Sequence, residues 1–169
     1  MKKLLFTVLL VLPLTLPFCA AAYEINGVGL GGNELSVRKT YPSARCKPLE
    51  WKSDAADRRC DDAKIAFAGG VQARVTFYLN RNSIQAFDVR FDTREVERVA
   101  GFLKKSYGAP MAETRDTLES KDKKSTRVLY KVRWEKGKDY AVLFSEKDKG
   151  RSSLLASRGD FEEEIYRVR

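Results

Sequence analysis

Alternation of apolar and polar residues in 71–79, VQARVTFYL, is the feature that most constrains what this chain can fold into. Every odd position is apolar, and this period of two is typical of a β-strand with one buried face. Residues 63–67 alternate in the same way, and Gly69 and Gly70 between the two segments suit a tight hairpin turn. Residues 87–91 continue the buried face after a polar turn. The pattern predicts an antiparallel meander of three strands, covered on one side.

Two helices are predicted next to these strands. Asn33 is a good N-cap for residues 34–40, and Pro42 ends that helix. Asp92 begins the capping sequence DTRE, after which apolar residues recur at helical spacing through 96–107. A helix with one apolar stripe packs that stripe against the core, so we expect the second helix to cover the meander.

The C-terminal part of the chain repeats the strand pattern. Residues 128–134, 140–144 and 152–157 read as strands separated by short turns. Residues 112–126 are polar and charged, which indicates a loop or a frayed edge, and the acidic stretch 160–164 favours a short turn of helix. The predicted fold class is therefore α+β, with antiparallel meander sheets packed by one or two helices.

The first 22 residues have the pattern of a secretory signal peptide. Lys2 and Lys3 precede an apolar run, and three alanines offer a cleavage site before Tyr23. The apolar run is shorter than the roughly 20 residues that span a bilayer, and no later segment is as long. We therefore expect residues 1–22 to be removed. Residues 23–169 are expected to form a single α+β domain in the periplasm, with no transmembrane segment in the mature chain.

Two other interpretations of this N-terminus stay open. An uncleaved segment would anchor the protein to the membrane. A lipid on Cys19 would make it a lipoprotein, but Phe18 is bulky at a position where such sites have a small residue. The alanine cleavage site explains the segment without either feature, so lipid anchoring at Cys19 is not expected.

Two cysteines, Cys46 and Cys60, are left after removal of residues 1–22. Export would expose them to an oxidising compartment, where an even cysteine count indicates a disulfide. The chain has no histidine, which excludes zinc sites that need imidazole and nucleophiles that need a cysteine–histidine pair. Two thiolates alone would leave a tetrahedral metal site half empty, and redox-active pairs have C-x-x-C spacing instead. The sequence predicts one disulfide, no metal and no cofactor.

A short internal similarity links the ends of the two predicted helices. VRKTYPSA (37–44) and LKKSYGAP (103–110), 66 residues apart, each place a basic pair, a hydroxyl residue and a tyrosine before a helix-breaking residue. Each precedes a polar segment and a meander, which indicates two helix-plus-sheet halves, 25–91 and 92–169. With the glycine-rich entry GVGLGG (27–32), this order resembles SmpA-type outer-membrane assembly lipoproteins and β-lactamase-inhibitor-like proteins. The resemblance implies a non-catalytic adaptor and carries over no functional residues.

The charge of the chain bears on the partners that it can have. The net charge is +9, and it is +7 without Lys2 and Lys3. In a cell envelope, a basic surface favours anionic partners such as lipid phosphates, acidic glycans or an acidic protein face. Export argues against nucleic acid as a partner. Acids are mixed with the cations along the chain, so ordinary solvated faces are the simpler interpretation.

The segment between the cysteines is the predicted binding site. Trp51 lies there among Lys47, Lys52, Arg58 and Arg59. A disulfide-constrained loop that presents an aromatic ring and cations can grip an anionic glycan or an acidic protein face. In the simpler interpretation, Trp51 covers the core and the charges form a solvated rim.

Catalytic groups are scarce in this sequence. Without histidine, the chain lacks the side chain whose ordinary pKa lies near neutral, and serine-nucleophile motifs are absent. The carboxylates at Asp61, Asp62 and 162–164 are the candidate acid–base groups. We therefore expect an exported, non-catalytic binding or adaptor module that contacts an envelope protein or an anionic envelope component. The alternative is a carboxylate-dependent hydrolase that acts on envelope glycan or peptidoglycan.

Overall fold

Within residues 23–119 and 126–165, eight antiparallel strands form one continuous sheet, and two very short strands pair in a separate hairpin. The structure is a computed structural model that describes these two ranges, and the predictions for residues 1–22 lie outside them. Together with the helices and the disulfide Cys46–Cys60, the sheet confirms the predicted α+β class.

The elements that the structure describes are numbered in chain order. The strands are β1 (Glu24–Ile25), β2 (Val28–Gly29), β3 (Arg45–Pro48), β4 (Arg58–Phe67), β5 (Val71–Asn80), β6 (Ser83–Phe91), β7 (Ala112–Glu119), β8 (Thr126–Lys136), β9 (Asp139–Glu146) and β10 (Arg151–Arg158). The α-helices are α1 (Glu34–Thr40), α2 (Val96–Tyr107) and α3 (Phe161–Glu164). Short 3-10 turns precede α2 and β10, at Thr93–Glu95 and Lys147–Lys149.

Two four-stranded meanders make up the large sheet. Its strand order is β3-β4-β5-β6-β10-β9-β8-β7, so the last strands of the two meanders, β6 and β10, pair in the centre. Each meander follows a helix in the chain, α1 before the first and α2 before the second. Strands β9 and β10 begin 68 residues after β5 and β6, respectively. The two runs therefore share one element order, at nearly the spacing of the sequence similarity.

One face of the large sheet, here called the inner face, carries the main core. Phe77 of β5 is fully buried on this face, with its ring 5.5 Å from that of Tyr41 and 6.1 Å from that of Phe87. Helices α1 and α2 join the same core through fully buried residues such as Val37 and Leu103. The apolar stripe of α2 is thus buried, as its helical spacing predicts.

The N-terminal arm also packs into this core, through a cluster of aromatic rings. Tyr23 is fully buried, with its ring 4.8 Å from that of Tyr107, which lies 5.8 Å from the ring of Trp134. The Tyr107 hydroxyl donates to the backbone oxygen of Glu24 (2.8 Å). The Trp134 indole nitrogen donates to the backbone oxygen of Gly108 (2.9 Å). These contacts tie β1, the end of α2 and β8 together.

Two edge strands lack the alternating pattern on which strand predictions rest. Residues 112–119, expected as a loop or a frayed edge, form a regular strand by pairing along β8. Residues 111–118 are all exposed, so neither face of β7 selects apolar side chains. At the other edge, β3 is short and mostly exposed, so it lacks the alternating pattern for the same reason. Both strands depend on a neighbour that sequence patterning does not reveal.

Buried tyrosines make stability sensitive to alkaline pH. Burial raises the pKa of Tyr41 to about 12, whereas tyrosine in an unfolded chain titrates near pH 10. Between these two values the unfolded state loses a proton that the native state keeps, so the free energy of unfolding falls as pH rises. We expect Tyr41 to account for a loss of about 1 kcal/mol at about pH 11.

Urea unfolding at about pH 8 and about pH 11 measures this loss. The Tyr41→Phe variant loses the hydroxyl that donates to Ile25 (3.3 Å), but its stability should depend less on pH than that of the wild type. Equal pH dependence in the two proteins would contradict the prediction.

Candidate binding surface

The disulfide Cys46–Cys60 joins the paired strands β3 and β4. The two cysteines face each other in register, and their sulfur atoms are 2.00 Å apart. The disulfide therefore closes a loop that consists of residues 47–59, as predicted. Glu34 of α1 lies beside the bond, with a carboxylate oxygen and the two sulfur atoms all within 4.8 Å of one another. Because the sulfurs are bonded to each other, this group offers no thiolate to a metal ion.

Trp51, the aromatic residue of the predicted site, lies over a second, smaller core on the outer face of the large sheet. Its ring is half-buried, and its indole nitrogen donates to the backbone oxygen of Ile165 (2.8 Å). The Ser53 hydroxyl donates to the backbone oxygen of Glu164 (3.1 Å), so the segment between the cysteines is joined to α3. The buried members of this second core are Ala55, Ala56, Ala86, Phe161 and Ile165. The Trp51 side chain thus covers part of the second core.

Two cations of the predicted site meet around one carboxylate. Lys47 pairs with Glu50, and the Arg59 guanidinium lies 3.6 Å from the same carboxylate and 3.1 Å from that of Asp61. The hydrogen bond from Lys47 holds the pKa of Glu50 below its ordinary value. Lys52 is exposed. The charges of Lys47 and Arg59 are therefore already largely compensated.

Arg58 does not join that group. Neighbouring residues of a strand point to opposite faces, and Arg58 points towards α1 instead. Its guanidinium lies 3.0 Å from the carboxylate of Glu34, which Arg38 also approaches at 2.7 Å. The hydrogen bond from Arg38, helped by Arg58, holds the pKa of Glu34 below its ordinary value. The structure brings together only part of the predicted site.

The hydrogen bond of the Trp51 indole can be tested by a conservative change. We expect Trp51→Phe to lower the free energy of unfolding by about 1 kcal/mol, because an aromatic ring stays and the donor to Ile165 is lost. The matched control is Lys52→Ala, at an exposed neighbour, which should stay within about 0.5 kcal/mol of the wild type. Chemical denaturation measures both. Equal stabilities for the wild type and Trp51→Phe would show that this bond contributes nothing in solution.

Beyond the second core, the outer face of the large sheet presents side chains of five neighbouring strands to solvent. Register pairs align them across the sheet, and none of them is buried. We call this surface the open face. It consists of Arg74 and Thr76 of β5, Asp88 and Arg90 of β6, Ser153 and Leu155 of β10, Val142 and Phe144 of β9, and Lys131 and Arg133 of β8.

The middle of the open face is apolar. Val142, Phe144 and Leu155 are half-buried there, and Leu155 pairs with Val142 in register. Cations lie on both sides of this middle, and they are Arg74, Arg90, Lys131 and Arg133. An apolar strip between basic side chains can contact an apolar group and an anionic group of the same molecule.

One end of the open face is hollowed into a depression of about 1230 Å³. Small-molecule pockets measure roughly 300–1000 Å³, so this space admits an organic ligand or part of a larger molecule. Its lining includes one aromatic residue, one hydroxyl residue and four cations, which are Phe144, Ser153, Lys64, Arg74, Arg90 and Arg151.

The acids in the lining of the depression have partners of their own. Asp92 accepts two hydrogen bonds from the Arg94 guanidinium, at 3.0 and 2.7 Å, and this side-chain hydrogen bonding lowers the pKa of Asp92 to about 2. Glu146 is buried, and its carboxylate lies 3.9 Å from Arg127. Arg94 and Arg127 are not among the cations that line the depression.

One depression cation is compensated from within the open face. The Arg90 guanidinium donates to Asp88 at 2.7 Å, and burial raises the pKa of this carboxyl group. Three other cations form no ion pair with any side chain that the structure describes, and these are Lys64, Arg74 and Arg151. The depression therefore has an excess of positive charge.

The candidate carboxylates of a hydrolase do not form a pair. Asp61 points to the outer face, where the Thr76 hydroxyl donates to it at 2.7 Å. Asp62 is buried on the opposite side and accepts a hydrogen bond from the Ser43 hydroxyl at 2.7 Å. Glu162 of α3 is exposed. Adjacent positions on β4 thus separate the two aspartates, because successive side chains of a strand alternate.

Comparisons of this chain with protein-family models, with curated proteins and with solved structures find no match. The resemblance to SmpA-type lipoproteins and to β-lactamase-inhibitor-like proteins therefore stays a prediction. In the two described ranges, no helix is both long and apolar enough to cross a membrane.

The cations of the depression were missed by sequence reasoning. Arg74, Arg90 and Arg151 lie on three different strands, and each looks in the sequence like one basic residue among many. A weak signal was available, since Arg74 and Arg90 take outward positions in strands whose residues alternate between apolar and polar. What places them together is the order of strands in the sheet, which local patterns do not specify.

Proposed function

We propose that the protein is an exported, non-catalytic binding or adaptor module of the bacterial cell envelope. It contacts an envelope protein or an anionic envelope component through the open face. The observation that carries this proposal is the presence on one surface of half-buried apolar side chains and a depression lined by cations. Binding interfaces characteristically have an apolar centre and a polar rim, and they are enriched in arginine and aromatic residues.

The proposed location rests on two features. Residues 1–22 have the composition of a secretory signal peptide, and a disulfide is characteristic of proteins in oxidising compartments. In the periplasm, anionic lipids and glycans are abundant ligands for a basic surface. Both features support a role outside the cytoplasm.

The segment between the cysteines takes a supporting role in this proposal. Trp51 and Leu155 both pack against the second core, and Leu155 is also part of the open face. Trp51 and the open face therefore meet at the second core. The alternative function, a carboxylate-dependent hydrolase, stays a prediction that the separation of Asp61 and Asp62 does not favour.

Site-specific crosslinking tests the open face as the contact surface. A photoreactive amino acid replaces Val142 in the full-length protein, which is illuminated in isolated cell envelopes. The matched control carries the same group at Leu35 of α1, a residue that is 74% exposed on the helix-covered side. We expect one dominant adduct from position 142 that is absent from position 35.

A second substitution separates contact from chance proximity. Phe144→Glu places a charge in the apolar middle of the open face and should abolish the adduct from position 142, since a buried unpaired charge is costly. Lys105→Glu, at an exposed position of α2, should leave the adduct unchanged. Adducts of equal yield from positions 142 and 35, or none from position 142, would reject the open face as the contact surface.

A further inference from the structure

The excess positive charge of the depression points to a particular ligand chemistry. Arg74 and Arg90 are direct cross-strand neighbours, and like charges at such positions repel each other. Asp88 accepts a hydrogen bond from Arg90 at 2.7 Å. Arg74 interacts with the same carboxylate only at longer range, so one negative charge is shared between the two arginines. A repulsive pair of this kind is relieved when an anion lies against the arginines.

A β-bulge brings a further cation to the same place. The pairing of β4 with β5 shifts between Asp62 and Ile65, so that the extra residues of β4, including Lys64, lie opposite Arg74. Arg151, the first residue of β10, contributes from the other side of the depression. Cations from four strands thus line one space of about 1230 Å³.

The number of uncompensated charges distinguishes between anions. A carboxylate carries one negative charge, whereas a phosphomonoester carries about 1.5 to 2 and has three strong acceptor oxygens. Arginine guanidinium groups bind phosphate through two parallel hydrogen bonds, and a lysine adds a point charge. Phe144 and Ser153 in the same lining offer an apolar surface and a hydroxyl to the rest of an organic molecule.

We infer that the depression binds an organic phosphate, with the phosphate group held by Arg74, Arg151 and Lys64 and the organic part lying on Phe144. This inference rests on the proposed function, and it names the anionic component that the open face contacts. The phosphate can belong to a lipid headgroup or to a soluble phosphorylated molecule, because both present the same group to the cations.

Calorimetric titration of the mature protein compares three soluble probes that share one ring: glucose 6-phosphate, glucuronate and glucose. We expect glucose 6-phosphate to bind, glucuronate to bind at least about tenfold more weakly, and glucose not to bind, since the phosphate supplies the charge. Arg74→Ala should weaken glucose 6-phosphate binding about tenfold. The matched control Lys105→Ala, also an exposed cation, should change it less than about twofold.

Vesicles distinguish the two sources of phosphate. Binding to phosphatidic acid vesicles but not to phosphatidylcholine vesicles, lost in Arg74→Ala, supports a lipid headgroup. Binding of glucose 6-phosphate without vesicle binding supports a soluble ligand. Thermal unfolding without ligand checks that Arg74→Ala folds like the wild type.

Two results overturn the inference. One is equal affinity for glucose 6-phosphate and glucuronate, and the other is the absence of any phosphate binding that Arg74→Ala weakens. If the adduct from position 142 is nevertheless obtained, the proposed contact surface stands and the phosphate inference alone fails. If that adduct is also missing, both fail.

Discussion

Phe77→Ala is expected to lower the free energy of unfolding by about 3–5 kcal/mol, the usual cost of removing a large aromatic side chain from a packed core. The Phe77 side chain is fully buried, and its ring lies near those of Tyr41 and Phe87. Alanine would leave a cavity between α1 and the centre of the sheet. Urea unfolding followed by circular dichroism measures the loss.

The control for this prediction lies on the same strand. Gln72→Ala changes an exposed outward residue of β5 and should stay within about 0.5 kcal/mol of the wild type. A loss below about 1 kcal/mol for Phe77→Ala, or a similar loss in both variants, would contradict the burial of Phe77 on the inner face.

Removing the disulfide should cost nearly as much. The double change Cys46→Ala and Cys60→Ala is expected to lower the free energy of unfolding by about 3 kcal/mol, because the bond restricts the unfolded chain over a separation of 14 residues. The loss should extend to the second core, since the segment between the cysteines carries Trp51 and its bond to Ile165. Chemical denaturation in non-reducing buffer measures it.

Reducing agent supplies the control for the disulfide. Dithiothreitol should bring the wild type down to the stability of the double variant and leave the double variant unchanged. If the wild type did not respond, and free-thiol labelling found both cysteines reactive in protein taken from the cell, the disulfide would be absent under native conditions.

The success of the strand predictions depended on burial. The inner faces of β5 and β6 alternate clearly because one side of each strand packs on the core and the other meets solvent. Strand β7 is exposed on both sides, so its residues show no such pattern and were expected to form a loop or a frayed edge. Strand β4 begins at Arg58, earlier than its alternation indicates, because residues 58–62 are mostly charged and the bulge after Asp62 breaks the period of two.

The candidate site, too, could be predicted only in part from the sequence. Trp51 and its cations are neighbours in sequence and could be picked out as a group, but the structure shows that Arg58 turns to α1 while Lys47 and Arg59 share Glu50. The depression on the open face could not be foreseen, because its cations come from separate strands.

The sequence by itself determined the α+β class, the helix α2, the strands β5 and β6 with the second half of β4, and the pairing of Cys46 with Cys60. Each of these follows from local periodicity, from capping residues or from the count of cysteines. Only the tertiary structure decided that β6 pairs with β10, that both meanders form one sheet, and that Arg74 and Arg151 line one depression. The physical reason is that strand order depends on contacts between residues far apart in the chain, and many strand orders are compatible with the same local patterns.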